Sequence, residues 1–259
     1  MVIGPVSTGL SFFSVNTFPH SVLIHLIYQV QQLNLGITIL PSAMFYFEII
    51  TAYSIIFAAI IGVVRFKKIH SSYRPFVIIC VVALLNETVS YLAMQFLHNN
   101  TVNTNIYSLV EAMLYVWLFK GWGYFNHKRR TYISTIILLA ATWITDNLFL
   151  HKMEETNFIY MTVYSFTLVF MAITEINEII MSRRGNLLRD SRFLICVSII
   201  IFYSYFSIIA IFWLSELHLS MAFYANLYLV LQAINILINI VFAFAILWAP
   251  QKLRFILQF

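Results

Sequence analysis

Residues 193–214 read FLICVSIIIFYSYFSIIAIFWL, twenty-two consecutive positions without a charged side chain. The segment does not alternate polar and apolar residues, as the strand of a membrane barrel must. It fits instead the roughly 20 apolar residues that a helix needs to cross a bilayer core of about 30 Å. The rest of the chain agrees. Of 259 residues, 61% are hydrophobic and only 10% charged, against about 45–50% and about 25% in soluble domains. That leaves too little polar surface to coat a soluble globule of this size.

Seven segments meet the length and apolarity of a span: 44–66, 75–97, 105–121, 131–150, 157–181, 193–214 and 221–248. The expected fold is therefore all-α, a polytopic seven-helix transmembrane bundle formed by residues 44–259. Pro5, Pro19, Pro41, Pro75 and Pro250 all lie outside these segments or at their ends. The helices should run unbroken, since a proline inside a span removes a backbone bond and kinks it. Cys80 and Cys196 stand in apolar surroundings and read as small core residues.

The loops alternate in charge. RFKKIHSSYR, KGWGYFNHKRR, SRRGNLLRDSR and the C-terminal tail hold fourteen of the fifteen Lys and Arg residues, and Lys152 alone falls on the other side. Short basic loops stay cytoplasmic, so the N-terminus is expected outside and the C-terminus inside, in a bacterial inner membrane. The net charge of +5 suits anionic lipid heads and not nucleic acid, because the cations are divided among short loops. Residues 1–43 form a separate extracytoplasmic segment. It reads either as an interfacial helix or as sequence ahead of a natural start at Met44, and a further crossing by residues 20–40 is disfavoured by Gln29, Gln31, Gln32 and Asn34.

Within this frame, four successive spans carry an acid in their outer half: Glu48, Glu87, Glu111 and Asp146, accompanied by Asn86, Asn147 and Asn226. No Lys or Arg within the spans shares that half. Glu87 lies roughly 15 Å below the outer helix end, Glu111 roughly 9 Å and Asp146 roughly 6 Å, at about 1.5 Å per residue. A charged carboxylate at depth costs at least ~2.5–3.5 kcal/mol, so these groups should face inward, share hydrogen bonds or line a wet pocket. Two readings stand side by side, interhelical hydrogen bonding alone and an outward-opening ligand pocket. Glu87 and Glu111 are the strongest candidates for the second.

Gln232, Asn235 and Asn239 share a face of the last helix and suit helix packing. Glu175 and Glu178 lie near an inner helix end and suit solvated pairs with the basic loops. His98, His151 and His218 fall at outer helix ends, where imidazoles could collect a zinc ion. Their spacing matches no metal motif, so neither metal nor cofactor is expected.

The order of features in residues 44–248 resembles a loose group of bacterial seven-helix membrane proteins of unknown function. The shared features are a span ending in a basic patch (IIGVVRFKKI), a span with a central acid, an IYSLVEAMLY-like segment bearing Glu111 and an asparagine-bearing late helix (LQAINILINIVFAFAIL). That resemblance implies membrane sensing next to histidine kinases. The loops are too short for a catalytic domain and contain no phosphate-binding glycine loop, so a signal would leave through a partner protein or a homo-oligomer. A receptor-like sensor subunit is thus the first expectation. An intramembrane lipid-modifying hydrolase using buried carboxylates is the second, and a small-solute or ion transporter the third.

Overall fold

The computed structural model describes residues 47, 49–126, 128–151, 153–182, 186–215 and 220–252. The expectations for residues 1–43, Glu48 and His218 lie outside the described residues. Among the described residues seven α-helices follow one another: α1 (Ile56–Arg65, after helical turns at 49–53), α2 (Arg74–Leu97), α3 (Thr101–Trp122), α4 (Arg129–Ile144), α5 (Phe158–Ser182), α6 (Ser191–Leu214) and α7 (Met221–Trp248). Among the described residues there is no strand, only an isolated bridge between Ile69 and Gln251 that ties the tail to the α1–α2 loop.

Five stretches are long and apolar enough to cross a membrane: Ser71–Leu97, Arg129–Leu150, Phe158–Ser182, Ser191–Leu214 and Phe223–Trp248. These make the chain a multi-pass helical membrane protein. The other two helices fall short for different reasons. The helix at Ile49–Arg65 is apolar but short. α3 has 22 residues, but Thr101, Thr104, Asn105 and Ser108 are among those it buries. Its polarity belongs to a helix that looks into the bundle.

Local chemistry sets the helix ends. Pro75 sits in the first turn of α2, where its missing N–H costs nothing. Asp190 caps α6 by accepting the Arg192 and Phe193 N–H groups at 2.8 and 3.2 Å, and Ser220 caps α7 through Phe223 N–H. α3 stops at Gly123, whose φ of 97° is left-handed. There Gly123 N–H reaches Lys120 O and Tyr124 N–H reaches Phe119 O, each at 3.1 Å. This double bond closes the last turn and favours glycine at that position.

Two interruptions depart from the expectation of unbroken spans. A turn at Ser54–Ile55 precedes α1, and α4 runs into a π-helical turn over Thr145–Leu150. Neither contains proline; the second widens the helix where Asp146 and Asn147 turn into the protein.

Helix neighbours define the architecture. α1 packs on α2 and α7, α2 on α3, α3 on α5, α5 on α6, and α6 on α7. Six helices thus close a ring, and α4 leans on α3 and α5 from outside. α4 accordingly buries only Leu139 fully. Large apolar side chains such as Phe57, Val64, Phe96, Phe149 and Phe170 remain exposed around the bundle. In water such a surface would aggregate; against acyl chains it costs nothing.

Lipid gives helices no hydrophobic reason to associate, so close packing and interhelical hydrogen bonds must hold the ring. Both are present. Ala58, Ala59 and Gly62 let α1 approach α2 so nearly that a Cβ on Gly62 would stand 2.7 Å from Val77 Cγ1. Asn103 of α3 donates to Asn86 Oδ1 and Ser90 Oγ of α2 at 2.9 and 2.8 Å. Asn239 of α7 donates to Ser54 Oγ at 2.6 Å, and Tyr205 of α6 to Leu227 O of α7 at 3.0 Å.

Candidate functional site

The ring lines a partly open cavity of about 110 Å³ whose walls come from α2, α3, α6, α7 and the chain ahead of α1. Glu87 enters from α2 and Glu111 from α3. Tyr107, Tyr115, Phe202 and Tyr203 supply aromatic walls, and Asn235 and Asn239 supply amides. No Lys, Arg or His lines the cavity among the described residues.

The α2–α3 contacts fix how the two carboxylates relate. Asn103 bonds to residues 86 and 90, and at the other end Gly121 lies against Ser72, 3.3 Å from its carbonyl oxygen to a Cβ built on the glycine. In this antiparallel register Glu111 stands opposite the chain near Val81. That is six residues from Glu87, or about 9 Å along the bundle axis. The carboxylates are therefore stacked along the cavity. The lining positions 79–87 of α2, 198–203 of α6 and 235–242 of α7 put the space around the helix midpoints and toward the basic ends. The sequence pointed instead to the half away from the basic loops.

The two acids have different surroundings. Glu111 is held by phenols: Tyr107, one turn earlier on α3, donates to Oε1 at 2.9 Å, and Tyr164 of α5 donates to Oε2 at 3.2 Å. Tyr203 stands against both Tyr115 and Tyr164, with ring centroids at 5.8 and 5.4 Å and edge-to-face geometry, an arrangement aromatic pairs favour. Glu87 makes no hydrogen bond or ion pair with the described residues. One carboxylate is caged and the other is free.

The remaining candidates lie elsewhere. Asp146 is fully buried where α4 passes into α5. Its Oδ2 accepts Tyr160 N–H at 2.7 Å, and its Oδ1 lies 2.8 Å from His151 Nδ1. It ties down the first turn of α5 and does not reach the cavity. Depth alone had grouped it with Glu87 and Glu111; the π turn rotates it toward the α5 terminus instead. Asn147 bonds back to Trp143 O in its own helix, Asn86 serves the α2–α3 contact, and Asn226 is exposed. His98 is exposed at the left-handed end of α2, φ 53°. Among the described residues no three His, Cys, Asp or Glu side chains gather as metal ligands.

Two parts of the interior escaped the sequence reading. The tyrosines on Glu111 were legible in part, since Tyr107, Glu111 and Tyr115 follow at intervals of four on one helix face. The other part is the pair of Glu175 on α5 and Arg192 on α6. Glu175 is fully buried, not solvated as its place near a basic loop implied, and Arg192 Nη2 meets its Oε1. The same guanidinium donates to Trp122 O at the end of α3, 3.2 Å away, and covers the Trp122 ring at 5.5 Å. Arg192 so fastens three helices at the basic end and satisfies a carbonyl that helix geometry leaves open.

No protein-family description matches this chain, and no curated protein or solved structure matches it significantly.

Proposed function

We propose that the protein is an integral membrane sensor or receptor-like subunit. In this reading seven segments cross the membrane with the N-terminus outside and the basic loops in the cytoplasm. A small polar ligand occupies the central cavity, and the response leaves through a partner protein, for which a kinase is the class the sequence resemblance implies.

One observation carries the reading: a single face of α5 holds both Glu111, which lines the cavity, and Arg192 at the basic end. Tyr160, Tyr164, Leu168, Ala172 and Glu175 are all buried on that helix. Tyr164 holds Glu111, and Glu175 holds Arg192 and through it the end of α3. The two contacts are eleven residues apart, about 16 Å along a stiff helix. A ligand that changes the bonding of Glu111 therefore biases the position of α5, and α5 carries that bias to the inner surface. Such a ligand shifts the equilibrium by its difference in affinity between the two positions.

The test places spin labels at Lys128 and Ser182, beyond the inner ends of α3 and α5, in protein held in lipid nanodiscs. Glu111→Gln, which weakens the phenol bonds, should shift the measured distance distribution relative to the parent. Distributions that coincide would remove the coupling on which the reading depends.

A further inference from the structure

The identity of the ligand can be narrowed by charge, shape and volume, on the reading that the central cavity is the ligand site. Two carboxylates face this space and no basic side chain among the described residues does. Glu111 has Tyr107 and Tyr164 as donors, while Glu87 has no partner among the described residues. An ionised carboxylate without a counter-charge is strongly disfavoured at this depth. Glu87 is therefore relieved either by a proton or by a cation brought next to it.

A second, independent acceptor is available. Asn239, 5% exposed, directs its amide nitrogen to Ser54 and Asn235, and its Oδ1 receives no hydrogen bond from the described residues. The walls beside these acceptors are the rings of Tyr115, Phe202 and Tyr203, whose faces attract cations. A primary ammonium group brings three donors and one charge to such a site. The space of about 110 Å³ is smaller than the roughly 150 Å³ engineered cavity that takes benzene. A ligand of about four non-hydrogen atoms or fewer follows from that comparison.

We propose that the cavity binds a small organic ammonium ion, with Glu87 as its counter-ion and Asn239 Oδ1 as a further acceptor. Glu111 and its phenols form the anionic floor of the site. Because the cation and the proton compete for the same carboxylate, binding weakens as the pH falls.

The full chain in lipid nanodiscs is titrated calorimetrically with methylammonium, ethylammonium, n-butylammonium, sodium and acetate. The expected result is saturable binding of the two shorter ammonium ions, at least tenfold weaker binding of n-butylammonium, and weakening as the pH is lowered. Glu87→Gln should lose at least tenfold in affinity. The proposal is overturned if neither short ammonium ion saturates, if acetate or sodium binds more tightly than both, or if Glu87→Gln binds as the parent does. Should that variant fail to fold, the chain-length cut-off and the pH trend of the parent protein decide by themselves. Ammonium binding that leaves the Lys128–Ser182 distance unchanged would uphold the site and count against the sensor reading. A distance that responds to Glu111→Gln in a chain that binds no ammonium would do the reverse.

Discussion

The Tyr164 hydroxyl of α5 donates to Glu111 Oε2 of α3 at 3.2 Å, across two helices separated by 53 residues of chain. This bond joins the wall of the cavity to the helix that leads to the basic end. Replacing Tyr164 with Phe keeps the ring packed on Tyr203 and Phe206 and removes only the donor. Interhelical side-chain hydrogen bonds in membranes average about 0.6 kcal/mol and reach about 1.7. Tyr164→Phe should lower unfolding stability within that range, measured by denaturant titration in mixed micelles, while Tyr164→Leu loses more because ring contacts go as well.

The buried pair at the basic end predicts a larger effect. Glu175→Gln leaves Arg192 partly buried without its counter-charge, and Arg192→Met leaves a fully buried carboxylate alone. Breaking a buried pair from one side costs about 3–5 kcal/mol. Glu175→Leu combined with Arg192→Met should be milder than either single change, because neither charge is then stranded. Thermal unfolding of the four proteins in one detergent gives the comparison.

The α1–α2 contact is tested by volume. Gly62→Val places methyl groups where Val77 already stands, since even a Cβ would come within 2.7 Å of its Cγ1. Overpacking of this kind costs typically about 1–3 kcal/mol. Adding Val77→Ala should restore much of the loss, and the coupling in that double-mutant cycle reports the contact itself.

Asp146 gives a prediction at the opposite end. Its carboxylate holds Tyr160 N–H and His151, so Asp146→Ala removes an acceptor from the first turn of α5. Loss of a helix-capping acceptor costs about 0.5–2 kcal/mol. Limited proteolysis should accelerate in the 153–157 connection, while cation binding in the central cavity stays as in the parent protein.

These cases also show what could be read from the sequence and what could not. Length and apolarity were enough for an all-helical membrane bundle, and they located six of the helices to within a few residues; the first, expected over 44–66, is interrupted at Ser54–Ile55. The charge balance marked the basic end, and depth singled out Glu87 and Glu111. Rotation about each helix axis was the missing quantity. Asp146 lies on an apolar helix at plausible depth, yet the π turn points it at a helix terminus. Arg192 was counted among loop cations, whereas the Asp190 cap starts α6 one residue before it and turns it inward to Glu175. Asn239 looked like packing because the three-and-four spacing of its helix cannot say whether the face meets a neighbour or a cavity; it meets both. α3 seemed a span like the others, although its many small polar residues already marked a helix with a polar face turned into the bundle.

A crystal structure grown from a lipidic mesophase tests the central claim most directly, through the side-chain positions of residues 87 and 111. The account predicts both carboxylates lining one shared cavity, Glu111 bonded to Tyr107 and Tyr164, and Glu87 bare toward the interior. Either carboxylate turned to the acyl chains, or the two separated by packed side chains, would contradict it.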